Sequence, residues 1–373
     1  MRVPVLATDV YSDGATYGAE RLRSRLGLLA RTGGQLIAPT MHDMPVSVTG
    51  VRHIVPEVPV GADADIRGRL ISDCVREHVA ATKPLFVHCL GLRAAVGALL
   101  GGRRPPVVII EPGVTPAQRL RDENPDWGPE RLQDLVSLED RVLARAHAVI
   151  ATNSIQAGTL LRRGVAQDRI WMALDGLPTL GWASRLSDMP VLATVIESPS
   201  AVDISVLAAA LERLRCTWRL LVLYDSDVVS RKDIVAQFGS YLMSRIDIEP
   251  LTRRSIHRLE TVRLMVCGVR TSRALNAGGF IPASVIWGMA AACPLVAPDM
   301  PAIRAHLGHG GEYYEIEDAG QFAALIERYV GDRTVSEALR QRCETQRGRL
   351  TWAQSEDLVT TLWAAIANQM TDM

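Results

Sequence analysis

The chain has 373 residues, 48% apolar and 22% charged, which is ample length for two apolar cores in an ordinary globular protein. Forty-one basic residues balance 41 acidic ones, so no whole-molecule field exists to hold a polyanion, and nucleic acid is disfavoured as the main partner. Six cysteines stand far apart with no Cys-x-x-Cys, which predicts reduced thiols and a cytoplasmic setting rather than a disulfide framework.

Val3 to Leu6 are apolar, but Thr8, Asp9, Ser12 and Asp13 interrupt at once, so no signal-peptide core is expected. Short β-branched runs then alternate with helical patterns, the signature of parallel sheets covered by helices. The first series predicts strands at Val3 to Thr8, Gln35 to Pro39, Leu85 to Cys89, Val107 to Glu111, Ala148 to Thr152 and Arg169 to Leu174. Between them, Leu22, Leu26 and Leu29 recur at helical spacing in Tyr17 to Arg31, and a second helix starts at Pro129, a good first-turn residue. Turn chemistry without a clear period from Asp175-Gly176-Leu177-Pro178 to Pro190 marks a linker. The second series predicts a strand at Val191 to Ile196, a helix at Asp203 to Leu214, strands at Trp218 to Tyr224 and Arg263 to Cys267, a helix at Ala283 to Ala292 and a strand at Leu295 to Ala297. The run Ala283 to Pro298, broken by Gly288 and Pro294, falls short of the roughly 20 residues of a membrane span. The last helix carries Leu358, Leu362, Trp363 and Ile366 on one side, a face suited to packing back on the first domain. The expected organisation is an α/β domain over 1–178, a second over 179–350, and a returning helix over 351–373. In such sheets ligands bind beyond the carboxyl ends of the strands, at the switch point.

Three stretches together resemble a GT-B glycosyltransferase, and more narrowly the family-4, retaining, nucleotide-sugar-dependent group. Asp13-Gly14-Ala15-Thr16-Tyr17-Gly18-Ala19-Glu20-Arg21 is similar to the glycine loop after the first strand. Leu138-Glu139-Asp140-Arg141-Val142-Leu143, with Arg163-Gly164-Val165 and Asp175-Gly176 beyond it, is similar to the passage into the linker. Gly278-Gly279-Phe280-Ile281-Pro282-Ala283-Ser284-Val285-Ile286-Trp287-Gly288-Met289 resembles the donor-site loop and helix; Glu111-Pro112-Gly113 and Leu350-Thr351-Trp352 fit more loosely. The resemblance implies two Rossmann-like domains facing across a cleft. It also implies metal-independent sugar transfer from a nucleoside-diphosphate donor to a glycan, lipid-linked or small-molecule acceptor, without a further cofactor. Four of the group's customary donor contacts are absent. The glutamate pair falls on Gly279 and Trp287, and an indole N–H only donates where a carboxylate accepts from ribose. The Arg and Lys expected after the first strand of the donor domain meet Val195 to Val202, which holds no cation and one anion, Glu197.

A departing diphosphate develops negative charge that preorganised donors must meet. Amides near the helix that begins at Pro282 or Ala283, the close approach allowed by Gly278 and Gly279, and guanidinium forks from Arg270 and Arg273 are the candidates, with Phe280 and Ser284 beside them. Gly278-Gly279 fits a simple tight turn equally well. Gly14 and Gly18 are candidates for a second phosphate contact, or for an ordinary strand-to-helix connection. His88 and Glu111 end neighbouring strands and are the candidates to orient or deprotonate an acceptor hydroxyl, against the plainer reading of a satisfied core histidine. Glu139 reads as a structural ion pair with an arginine. His306, His309 and Glu312 straddle glycines rather than share a helical face, so no metal site is expected. Arginines 21, 23, 25, 103 and 104 are candidates for peripheral contact with anionic lipid, or for a solvated face. Two further readings compete with transfer: a degenerate homologue that scaffolds a partner glycosyltransferase, and a nucleotide-sugar epimerase of the same fold.

Overall fold

The computed structural model describes residues 2–8, 17–38, 48–58, 64–100, 105–113, 115–124, 126–197, 203–226, 229–268, 279 and 281–371. Two compact units emerge. Gly18–Gly176 and the N-terminal strand form the first, which Trp352–Met373 joins, and Leu177–Thr351 form the second.

The first unit runs β1 (Val5–Thr8), α1 (Tyr17–Thr32), β2 (Gln35–Ile37), β3 (Arg52–Ile54), α2 (Ala64–Thr82), β4 (Val87–Leu90), α3 (Leu92–Leu100), β5 (Val108–Glu111), α4 (Pro116–Glu123), α5 (Pro129–Arg145), β6 (Ala148–Ala151), α6 (Ser154–Arg162) and β7 (Ile170–Met172). Its strands pair in parallel in the order β3-β2-β1-β4-β5-β6-β7. The central strands are buried along their whole length, as a sheet covered on both faces requires. Alternation sends Val5, Ala7, Val87, Cys89, Val108 and Ile110 into a core with α2, α3 and α5. Leu6, Leu90 and Ile109 turn the other way, towards Leu22, Leu26 and Leu29 of α1. Helices α2 and α3 touch backbone to backbone because Gly97 has no side chain: a Cβ there would lie 2.0 Å from the Ser72 carbonyl oxygen.

The second unit runs β8 (Val191–Ile196), α7 (Ser205–Leu211), β9 (Arg219–Tyr224), α8 (Arg231–Val235), β10 (Ile246–Pro250), α9 (Arg253–Ile256), β11 (Leu264–Val266), α10 (Ala283–Ala290), β12 (Leu295–Pro298), α11 (Pro301–Leu307), β13 (Glu312–Tyr314), α12 (Ala319–Gly331) and α13 (Arg333–Arg347). Its sheet is again parallel, in the order β10-β9-β8-β11-β12-β13. Both sheets reverse their strand order once, between β1 and β4 and between β8 and β11. The last helix, α14 (Trp352–Thr371), lays Val359, Leu362, Trp363 and Ile366 into the α1 core of the first unit. No helix among the described residues is long and apolar enough to cross a membrane.

Candidate functional site

At the switch point of the second sheet, β8 and β11 stay paired only as far as Ala193 and Met265. Beyond that register β8 loses its ladder partner on one side, and a side chain from α10 takes the place. The Ser284 hydroxyl accepts from the Val195 N–H at 2.9 Å and lies 2.9 Å from both the Val195 carbonyl oxygen and Thr194 Oγ1. Ser284 is fully buried, and these three partners occupy it. The structure therefore corrects its expected role as a donor contact: the hydroxyl holds the first turn of α10 in the opening between the strands.

One turn further along α10, Trp287 is 2% exposed and its Nε1 donates to Glu197 Oε1 at 2.5 Å. Glu197 directly follows β8 and is half-buried. Trp287 and Glu197, which the sequence presents separately, thus satisfy one another. Gly279, which precedes α10, is buried and has φ of 74°, a left-handed conformation that glycine adopts without strain. Gly278, Phe280, Arg270 and Arg273 lie outside the described residues, as does Gly14. Gly18 is the second residue of α1, so it belongs to a helix rather than to the loop before it.

His88 and Glu111 do come together, but inside the first unit. They point from β4 and β5 to the face covered by α1 and α14, and their side chains have no exposure. Arg25 of α1, equally enclosed, holds Glu111 with both arms of its fork, Nε to Oε1 at 2.6 Å and Nη2 to Oε2 at 3.3 Å, and donates to Ser355 Oγ of α14 at 3.0 Å. Trp363 Nε1 donates to His88 Nδ1 at 3.0 Å, which places the imidazole proton on Nε2. Nε2 lies 3.0 Å from Glu111 Oε1, too bent for a good hydrogen bond, so that contact is electrostatic. Burial lowers the His88 pKa and keeps the ring neutral. Burial by itself would raise the Glu111 carboxyl, but the Arg25 charge and the His88 contact hold it well below the usual carboxylate range. A carboxylate saturated by an arginine and a histidine sealed beneath two helices reach no acceptor. The expected catalytic pair is a structural knot. The sequence signal for its centre is Arg25, which falls between Leu22 and Leu29 on the apolar stripe of α1.

Glu139 is the predicted ion-pair partner, accepting from Arg163 at 2.9 Å and from the Ala117 N–H at 2.7 Å. Among the arginines offered for lipid contact, Arg25 is enclosed, Arg21 pairs with Asp175 and Arg23 with Glu20, while 103 and 104 lie outside the described residues. No cluster of three metal-ligating side chains occurs among the described residues, and buried His306 stands apart from exposed His309.

Two parallel-sheet Rossmann-like units, with the last helix belonging to the first, define the GT-B fold of glycosyltransferases. The chain matches solved structures of that class along nearly its whole length. A sucrose-phosphate synthase from Thermosynechococcus elongatus is 15% identical with a TM-score of 0.77, covering 98% of this chain and 99% of its own. Anabaena HepE in complex with UDP and glucose is 13% identical with a TM-score of 0.69, covering 98% of this chain and 100% of its own. A UDP-forming α,α-trehalose-phosphate synthase from Burkholderia xenovorans is 10% identical with a TM-score of 0.70, covering 100% of both chains. No protein-family model matches the chain, and no curated protein matches it in sequence.

Proposed function

We propose that the chain is a glycosyltransferase that moves a sugar from a nucleoside-diphosphate donor to an acceptor hydroxyl, with retention and without a metal. The observation that carries this reading is the whole-length likeness to sugar-transferring enzymes, one of them in complex with UDP and glucose. The donor would lie at the β8/β11 switch point, its diphosphate on the amides of the Gly278-Gly279 segment and the first turn of α10, with Arg270 and Arg273 as the forks that the usual positions lack. Donors fixed there before the leaving group departs would meet its charge without having to be moved into place.

Calorimetry with the UDP, GDP, ADP and dTDP forms of common sugars tests the reading. Saturable binding of at least one, weakened about tenfold or more by Arg270→Glu or Arg273→Glu, is the expected result. No binding by any of them at millimolar concentration with acceptor present overturns it.

The Trp287–Glu197 hydrogen bond favours a second reading, a degenerate homologue that supports an active transferase. An indole occupies the place of a ribose acceptor, and an anion stands where a diphosphate would want a cation. Copurification with a transferase whose activity depends on this chain, together with a blank nucleotide panel, selects this reading. Release of an altered free nucleotide sugar without acceptor selects the epimerase.

A further inference from the structure

β8 and β11 part at the switch point of the second sheet, and the chain that leaves β11 returns as α10 beside β8. The stretch between them in sequence carries Arg270, Arg273 and Gly278. Ser284 fixes its far end, on Val195 and Thr194 of β8. Its near end is fixed by a residue to which no sequence pattern points, Tyr314 of β13.

The need for Tyr314 originates in β12. The Cys267 N–H donates to the Val296 carbonyl at 2.9 Å, in step with the Met265 N–H on Pro294 at 2.8 Å. In a parallel ladder of that register, the Cys267 carbonyl would accept from residue 298. Residue 298 is proline and has no N–H to give. Tyr314 stands opposite Pro298 on the next strand, and its hydroxyl reaches past it to donate to the Cys267 carbonyl at 2.8 Å. A buried carbonyl without a donor is costly, so a side chain replaces the bond that the ladder cannot make.

This hydroxyl is held as firmly as the strand end it serves. Tyr314 is 1% exposed, and its ring lies flat on Phe322 of α12, with centroids 4.2 Å apart and planes within 9°. Burial raises the phenol pKa, so the group stays protonated and donates. The next residue of the chain, Gly268, passes over the same Phe322 ring: a Cβ there would lie 3.0 Å from Phe322 Cε1 and 2.4 Å from Leu207 Cβ. The chain therefore leaves β11 packed against α7 and α12, in a direction that the Tyr314 contact fixes.

We infer that Tyr314 is a positioning residue of the proposed donor site: its hydroxyl holds the Cys267 carbonyl and, with Ser284 at the other end, sets where the stretch that carries Arg270 and Arg273 meets a diphosphate. The ligand in this inference rests on the sugar-transfer reading; the anchor does not.

Tyr314→Phe removes the hydroxyl and keeps the ring on Phe322, and two measurements on the full-length variant test the inference. Hydrogen exchange of peptides covering 264–284 should quicken by about tenfold or more, with peptides of the first unit unchanged. The diphosphate that binds best among UDP, GDP, ADP and dTDP should bind about tenfold more weakly, and its monophosphate, which lacks the second phosphate, by less than about threefold. Pro298→Ala gives residue 298 an N–H, so added to Tyr314→Phe it should restore both the slow exchange and the affinity. Unchanged exchange, equal losses for monophosphate and diphosphate, or no rescue by Pro298→Ala would each overturn the inference. A blank nucleotide panel beside quickened and rescued exchange overturns the sugar-transfer reading and leaves the anchor standing.

Discussion

The Arg25–Glu111–His88–Trp363 chain is the clearest case of residues whose chemistry is set by enclosure. Glu111 stays ionised because a guanidinium lies against it, and His88 stays neutral because burial penalises its charge. Removing one partner leaves the other charged and dry. Glu111→Ala should therefore cost about 3–5 kcal/mol in denaturant unfolding, far more than an exposed ion pair such as Arg304–Asp299. A cost below about 1 kcal/mol would mean that water reaches Arg25. Buried His306 supplies the pH dependence. Burial lowers its pKa from 6.5 to about 4, so the unfolded chain takes up a proton first as pH falls. Its contribution is intact above pH 6.5 and is lost between 6.5 and about 4, by an order of magnitude of 3 kcal/mol. His88 acts in the same direction. Replacing His306 with leucine should flatten the fall in stability between pH 7 and 4.5, and an unchanged slope would assign the loss to other groups.

At the scale of elements, close approach decides what packs where. Gly97 places α3 against the backbone of α2, and any Cβ meets the Ser72 carbonyl. Gly97→Ala should force the helices apart at a cost of about 1–3 kcal/mol, read as a lower unfolding midpoint. The strands missed by periodicity explain themselves at this scale. β3, β10 and β13 lie at sheet edges. Arg52-His53-Ile54, Ile246-Asp247-Ile248-Glu249 and Glu312-Tyr313-Tyr314 leave polar side chains towards solvent and lack the continuous apolar run of a central strand. The central strands β1, β4, β5, β6, β8, β9, β11 and β12 were all legible, to within a residue or two at their ends, because burial on both faces leaves only apolar choices.

Across the whole molecule, the first unit is completed by the far end of the chain. α14 covers Leu6, Leu36, Phe86 and Ile109 and places Ser355 on Arg25, so residues 1–176 lack one wall of their own core. A fragment ending at 176 should expose apolar surface, bind a hydrophobic dye and unfold without a sharp transition, and adding 352–373 as a peptide should restore cooperativity. A sharp transition in the fragment alone would show that α1 suffices to seal that face. If the sugar-transfer reading holds, a nucleotide sugar at 100 times its dissociation constant should stabilise the second unit by about 2.7 kcal/mol, read as a rise in midpoint confined to that unit's transition.

The sequence by itself determined the two parallel-sheet α/β series, because these depend on apolar period and turn chemistry, which are local. It also marked Trp287 and Glu197 as departures from the pattern it resembles, since identity is read position by position. Only the tertiary structure decided what those groups do. Ser284 turned inward because two strands part beside it, and His88 and Glu111 were sealed because α1 and α14 close over their face of the sheet. Trp287 met Glu197 because β8 and α10 converge there. Strand ends mark where a side chain sits along a sheet, but which face it takes and what covers that face depend on segments far away in sequence.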